Sequence, residues 1–526
     1  MTRAGFWCSA TLLGLVPACG DSRGDESDVG RSSTSDSGPS SDAAAGPHAG
    51  HGGSTFPPVV DAPIGAPLTD LTRPSDLDPD PAVVEIDLVA QVGTVEYQPG
   101  VSTEAWTYNG TVPGPLIDAN VGDRLVVHFR NELPEPTTIH WHGVRVPVEM
   151  DGMPAMETTV ASGGTFEYAF ELPDAGLFWF HPHVRSDEQV ERGLYGAILV
   201  RGAAEPELPA DRVLMLDDVL VDPDGTLSDF DYEGDSAMTG PAMVGRQGNL
   251  VLVNGKARPS VTFQRGESQR WRLVNAANAR FFRLSLPGHR LTLLGVDGGL
   301  VPAPREVEEL MLVPGERADL LVTATHDVDG EAELVGLPYD RGHGTASVPK
   351  SNVLHVSDRT AETHDEVTVP ETLREIEPLG APVRTRTLVL SEDMGGGEHA
   401  AHGGSMEPVF MINDEVFPDI TPLATELDAV EEWEIVNDSE MDHPFHLHGF
   451  FFQVLDGGTP AWKDTVNVPG KSTVRLAIRF TDHPGRWMYH CHILEHAERG
   501  MIGEVDVVAP EGEAPPPPGD NPHAGH

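Results

Sequence analysis

Cysteine is rare in this 526-residue chain and basic residues are few beside acidic ones, and each shortage closes off a class of protein. Cys8, Cys19 and Cys491 are its only cysteines, and two of them fall in the first twenty residues, so the folded part has no pair for an internal disulfide. Lys and Arg number 34 against 83 Asp and Glu, a formal charge of −49. Such a surface repels phosphate backbones, so no nucleic-acid partner is expected; it favours solubility and cationic partners. No apolar run is long enough to span a membrane. Long amphipathic helical periodicity is also missing, which argues against a helical bundle. With 39% hydrophobic and 22% charged residues, what remains is a soluble globular composition, long enough for roughly three or four domains.

The two ends read differently from the middle. Residues 1–19, with Arg3 ahead of a short apolar stretch, predict an export signal. Its last residues, Val16-Pro17-Ala18-Cys19, resemble the lipobox of bacterial lipoproteins, which implies acylation of Cys19; a plain secretory peptide cut elsewhere is the alternative. The expected location is therefore periplasmic or at the cell surface, with membrane contact only through a lipid anchor. No twin-arginine pair precedes the apolar stretch, which favours export unfolded and metal loading outside. Residues 20–78, rich in Ser, Gly, Asp, Ala and Pro, predict a flexible tether, and 510–526, with Pro515 to Pro518, an extended tail.

Between the ends, alternations such as Leu125, Val127, Phe129 and frequent Gly and Pro predict many short strands and an all-β chain. The pattern also repeats. Asn109-Gly110 before Pro113, Asn254-Gly255 before Pro259 and Asn413-Asp414 before Pro418 share one turn signature. Each is followed by a strand ending in Asn, at Asn131, Asn275 and Asn437, with Asn-to-Asn spacings of 22, 21 and 24. Three homologous β domains follow, over 79–203, 204–375 and 376–509. Nine and eleven residues after the second Asn stand His140 and His142 in the first copy and His446 and His448 in the third, but Leu284 and Leu286 in the middle one. Near the end of each copy a Gly precedes, by five and seven residues, His181 and His183, then Val335 and Leu337, then His490 and His492. The middle domain is expected to hold no metal ligand and to act as a spacer.

Residues i and i+2 of a strand share a face ~6.5–7 Å apart, so each His-x-His pair can serve two adjacent metals or grip one from a single side. Neutral imidazole suits copper, zinc, iron or nickel, and eight such donors imply a multinuclear site. A second set narrows the metal. His443, Cys491, His496 and Met501 supply two imidazoles, a thiolate and a thioether, the donors of a blue copper site with a weak axial Met. Cys491 lies between His490 and His492, so a one-electron site is joined to the multinuclear one through two peptide units.

Over residues about 80 to 508 these motifs resemble the multicopper oxidases, specifically the three-domain bacterial laccase-like and cuprous-oxidase branch. The resemblance implies three cupredoxin-like Greek-key β-sandwich or barrel domains and four copper ions per chain. His443, Cys491 and His496 would hold the type 1 copper with Met501 axial, and His140 and His446 the type 2 copper. His142, His181, His183, His448, His490 and His492 would hold the two type 3 coppers. Asp151, eleven residues after His140, would orient water and relay protons; a turn carboxylate before Gly152 is the alternative. Many bacterial members carry an acid directly after the residue matching His496; here that position is Ala497, and Glu498 is next in line to supply protons. The implied activity couples one-electron oxidation of a small aromatic reductant, a phenol or aromatic amine, or of Cu(I) to four-electron reduction of O2 to water. Electrons would enter at a surface edge of His443 or His496. Oligomeric state stays open, with a monomer favoured.

Two alternatives stand beside this reading. One is a dedicated cuprous oxidase in copper tolerance, with Met441, Asp438, Glu440 and Asp442 receiving Cu(I) just before His443. Against it, the chain lacks a Met-rich insertion and has only Met394, Met406 and Met411 near the corresponding loop. The other is a copper-binding surface protein that kept its ligands without turnover. The pairs His48/His51, His399/His402 and His523/His526 read as solvated polar segments, with weak exchangeable copper binding as the alternative.

Overall fold

The computed structural model describes residues 58–509 apart from 154–157, 204, 210, 231–239, 326–329, 343–347, 365–366, 394–407 and 457–459. The expected signal with Cys8 and Cys19, most of the tether, the 510–526 tail, Met394, Met406 and the three His-x-x-His pairs lie outside the described residues. No helix among the described residues is long and apolar enough to cross a membrane.

Alternation drives the architecture. In strand Arg124–Asn131 the residues Leu125, Val127 and Phe129 are buried while their neighbours face outward, and in Val430–Asn437 Trp433 and Ile435 do the same. Each such side chain contributes roughly 1.5–3 kcal/mol by leaving water. A strand with one apolar face must cover it with a second sheet, and the described chain forms three two-sheet units. The first pairs two four-stranded sheets, the middle a seven- with a five-stranded sheet, and the third two five-stranded sheets.

The internal repeat has a structural counterpart in every copy. Val83–Gln98 runs parallel to Arg124–Asn131, Asp211–Val219 to Ser268–Asn275, and Arg384–Asp393 to Val430–Asn437. Asn109, Asn254 and Asn413 all take the left-handed conformation their turns need, and the side-chain oxygen of each accepts a backbone N–H, from Val89, Met215 and Val389. The strand-ending Asn residues also share one task. Asn131, Asn275 and Asn437 are buried, and the side-chain amide of each donates to two carbonyls across the following loop.

One expectation fails on the described residues. Residues 58–78, assigned by composition to a flexible tether, lie extended against the first two domains. The amides of Val60, Gly65 and Leu68 donate to Asn249, Arg258 and Ser260, and Ala62 and Leu71 are buried. The stretch is polar overall but places these two apolar side chains, with backbone donors between them, along open sheet edges.

Candidate metal centres

Sheet register brings the histidines together. His140–His142 pairs antiparallel with Gly176–His181 so that His140 faces His181, and His443–Leu447 pairs with Gly485–Cys491 so that His446 faces His490. The first and third domains turn these edges toward each other. Ring centroids of His140 and His448, and of His142 and His446, stack 3.8 Å apart across the junction. Candidate donor atoms of His140, His142 and His446, of His140, His181 and His183, of His142, His181 and His492, and of His183, His448 and His490 lie within 4.8 Å of one another. In the middle domain the register is offset by one, Ser285 facing Val335, and Leu284 and Leu286 belong to the core.

The second nitrogen of each ring determines which nitrogen faces the cluster. Nδ1–H of His140 donates to the Asp151 carbonyl at 3.1 Å, that of His181 to Pro182 at 3.0 Å, that of His446 to Asp464 at 2.9 Å and that of His490 to Cys491 at 2.8 Å. Nδ1–H of His448 donates to Asp151 Oδ2 at 2.7 Å. These partners are acceptors only, so each Nε2 carries a lone pair. His142 is inverted: Nε2–H donates to Asp464 Oδ1 at 3.2 Å, leaving Nδ1 as the lone pair.

These lone pairs suit a cation. Nε2 of His140, His181, His183 and His446, Nδ1 of His142 and both nitrogens of His492 are buried without a hydrogen-bond partner among the described residues. An unmet buried polar group costs ~1–3 kcal/mol, and so many in one place amount to a site built for a ligand. Nε2 of His448 and His490 face each other at 3.1 Å, two lone pairs that a metal would reconcile. Burial first, and neighbouring rings second, hold His142, His181, His183, His448, His490 and His492 well below the usual imidazole range. They therefore stand neutral, the form that binds metal.

The second centre is a triangle. Cys491 Sγ lies 3.5 Å from His443 Nδ1 and 3.7 Å from His496 Nδ1, and the two nitrogens are 3.3 Å apart. Met501 is held alongside, its carbonyl accepting from the Cys491 amide at 3.1 Å and its own amide donating to His496 at 3.0 Å. Burial pushes the Cys491 thiol up, so metal binding here must displace its proton. A soft thiolate and thioether with two imidazoles match copper.

Several expectations need correction. Neither His443 nor His496 offers a ring edge to solvent. His443 is covered by Ser439, whose hydroxyl lies 2.9 Å from its Nε2, with Glu392 Oε2 at 3.9 Å, and the ring of Phe410 stacks on His496 at 3.9 Å. Met441 is a core residue packed with Trp433 and Phe445 rather than a surface thioether. Asp442 is taken up by Tyr339, Asn467 and Gly470, while exposed Asp438 and Glu440 pair with Lys471. Asp151, expected to orient water and relay protons, ends the short turn Val148–Met150 and is fully buried between His140 and His448.

Ala497 sits in an apolar cluster with Met153, Met488 and Ile502, where an acid would be stranded. Glu498 faces the first domain instead, its Oε1 accepting from the Ser186 amide and hydroxyl at 2.6 and 2.8 Å. Sequence reasoning missed Asp464, which touches both His142 and His446, and Glu495, buried in the helix Leu494–Glu498 and accepting from Asn278 at 3.0 Å. Asp464 belongs to no spaced motif, and Glu495 is signalled only by lying between His492 and His496.

A thiolate–imidazole triangle joined through adjacent residues to a cluster of eight imidazoles, on cupredoxin-like sandwiches, defines a blue-copper oxidoreductase. Family models described as multicopper oxidase match residues 89–205, 212–331 and 394–511. The chain is 32% identical to the multicopper oxidase MmcO of Mycobacterium tuberculosis, over 84% of this chain and 88% of that one. It is 28% identical to a laccase of Bacillus stratosphericus, over 84% and 98%. Among solved structures, the multicopper oxidase of Campylobacter jejuni, described as a metallo-oxidase, superposes with a TM-score of 0.76 at 30% identity, over 87% of this chain and 99% of that one. The chain belongs to the multicopper oxidase family and is a copper-dependent oxidoreductase with oxygen as acceptor.

Proposed function

We propose that this protein is a laccase-like multicopper oxidase that takes single electrons from phenols, aromatic amines or Cu(I) and reduces O2 to water. The observation that carries the reading is Cys491: its sulfur sits within 3.7 Å of both His443 and His496, and its chain neighbours His490 and His492 belong to the eight-imidazole cluster. In this reading His443, Cys491, His496 and Met501 hold a type 1 copper, and His140 and His446 a type 2 copper. His142, His181, His183, His448, His490 and His492 hold two type 3 coppers. Bound copper supplies one-electron chemistry at the first centre and a place to bind and reduce O2 at the second.

The chain's own residues orient and insulate. The Cys491 peptide units link the centres, and burial excludes water from both. Asp151 keeps the Nδ1 protons of His140 and His448 in place and turns their Nε2 atoms inward. Glu498, held by Ser186, is the acid we assign to proton supply, because Ala497 lies in an apolar cluster. Export and lipid anchoring through Cys19 form part of the proposal, supported by the opening sequence.

A narrower reading as a cuprous oxidase is favoured by one observation. Above about pH 7, to which burial raises its carboxyl, Glu392 beside His443 and close to Glu440 would draw a cation rather than a neutral ring. Oxygen uptake by the copper-reconstituted protein, with a methoxyphenol and Cu(I) run side by side, tests both. Faster uptake with the phenol supports the broad role and faster uptake with Cu(I) the narrower one. No uptake with either leaves a copper-binding surface protein.

A further inference from the structure

The middle domain carries no histidine of the cluster, yet its turn ahead of strand Arg317–Ala324 packs against it at Gly315. Gly315, at φ +87°, packs so closely that a β-carbon there would lie 2.9 Å from His492 Cδ2 and 3.0 Å from His142 Cε1. Two residues on, Arg317 is fully buried and uses every guanidinium N–H. Nε donates to the Leu177 carbonyl of the first domain at 3.2 Å. Nη1 donates to the Gly315 carbonyl at 3.1 Å and to Asp464 Oδ1 at 2.6 Å, and Nη2 to the Asp297 carbonyl at 3.1 Å and to Asp464 Oδ2. Asp464 Oδ1 is the same oxygen that accepts from His142 Nε2–H.

One planar fork from the middle domain thus fixes a third-domain carboxylate, which fixes a first-domain imidazole. The chain makes room for it. Gly143, directly after His142 and at φ +85°, leaves space that a β-carbon would close to 2.3 Å from Arg317 Nη2. Lys463, next to Asp464, is tied to the middle domain as well, through Asp297 at 2.9 Å and Glu316 at 3.0 Å.

We infer that Arg317 is a positioning residue for the cluster: acting through Asp464, it holds His142 in the one orientation that presents Nδ1, where most of its partners present Nε2. This rests on the copper reading above and adds to it that the domain without ligands sets the geometry of the ligands. The cluster spans the first and third domains, so its geometry depends on their alignment, and Arg317 bonds to both.

The test uses copper-reconstituted full-length Arg317→Leu and Arg317→Lys. Lysine keeps a buried positive charge but offers one nitrogen where the carboxylate is gripped by two. All type 1 ligands lie in the third domain, so the blue thiolate band reports folding independently of the cluster. The inference predicts that Arg317→Lys keeps the blue band but holds type 2 and type 3 copper about 10–100-fold more weakly, with an altered type 2 electron paramagnetic resonance signal. If Arg317→Leu loses the blue band too, it has misfolded and the lysine variant decides. Wild-type copper content and an unchanged type 2 signal in Arg317→Lys would overturn the inference, as would parallel loss of the blue band and the cluster copper, the mark of a general folding role. Wild-type protein that shows no type 2 signal at all would instead overturn the copper reading, and this inference with it.

Discussion

At the scale of single residues, each histidine's role is decided by the atom on its far side. Asp151 accepts from His140 and His448 through different oxygens, so Asp151→Asn removes a charge and weakens the second bond while leaving the shape intact. Turnover is expected to fall ~10–100-fold with the blue band unchanged, measured by steady-state O2 uptake on variants of known copper content. Cys491→Ser should remove the blue band and abolish turnover with every donor; a variant that kept wild-type activity would break the link between the two centres. The metal-ligating side chains are legible in the sequence because i, i+2 spacing and a fixed offset from a strand-ending Asn are local signals. Asp464 is not, since its partner His142 lies 322 positions away and nothing periodic connects them. Nor is the burial of His443, which depends on how Ser439 and Glu392 fold over the ring.

At the scale of elements, the same Asn at the end of the same strand in three domains provides an internal comparison. Replacing Asn275 or Asn437 by Ala leaves two buried carbonyls without their donor, at ~1–3 kcal/mol for each group left unsatisfied. Both variants should unfold at lower denaturant concentration. Only Asn437→Ala should also disturb the blue band, because Asn437 orders Ser439 and so His443. Equal spectral damage from both would mean that the loop does not position the ligand. The strands themselves are legible as alternations, and the turns as Asn-Gly or Asn-Asp pairs. The docking of residues 58–78 is not, because two buried side chains and a few sheet-edge hydrogen bonds leave no mark on composition.

At the scale of the whole molecule, a lock of buried charge holds the chain where it enters the middle domain from the first. Glu205, in the connection between the first two domains, bonds Arg270 at 3.0 Å and Arg272 at 2.7 Å, and Asp211 bonds Arg272 at 2.7 Å. Burial alone would raise both carboxyls, but Arg272 and its neighbours outweigh it and hold them below the usual carboxylate range. Their stabilisation is therefore complete above the unfolded-state values of about 4 and is lost as pH falls through the depressed folded values. Thermal midpoints should drop with acidification in that range, and Glu205→Gln should flatten part of the drop; an unchanged profile would remove Glu205 from the lock. Cys19→Ser should move the protein from the membrane to the soluble fraction, and a fractionation pattern identical to wild type would exclude the anchor.

The most direct test of the account is the ratio of electron donor consumed to O2 consumed by the copper-reconstituted chain, with peroxide measured in the same vessel. Two linked centres that reduce O2 fully predict four one-electron donors per O2 and no free peroxide. Two donors per O2 with peroxide accumulating would contradict it, because the eight-imidazole cluster would then not be completing the reduction.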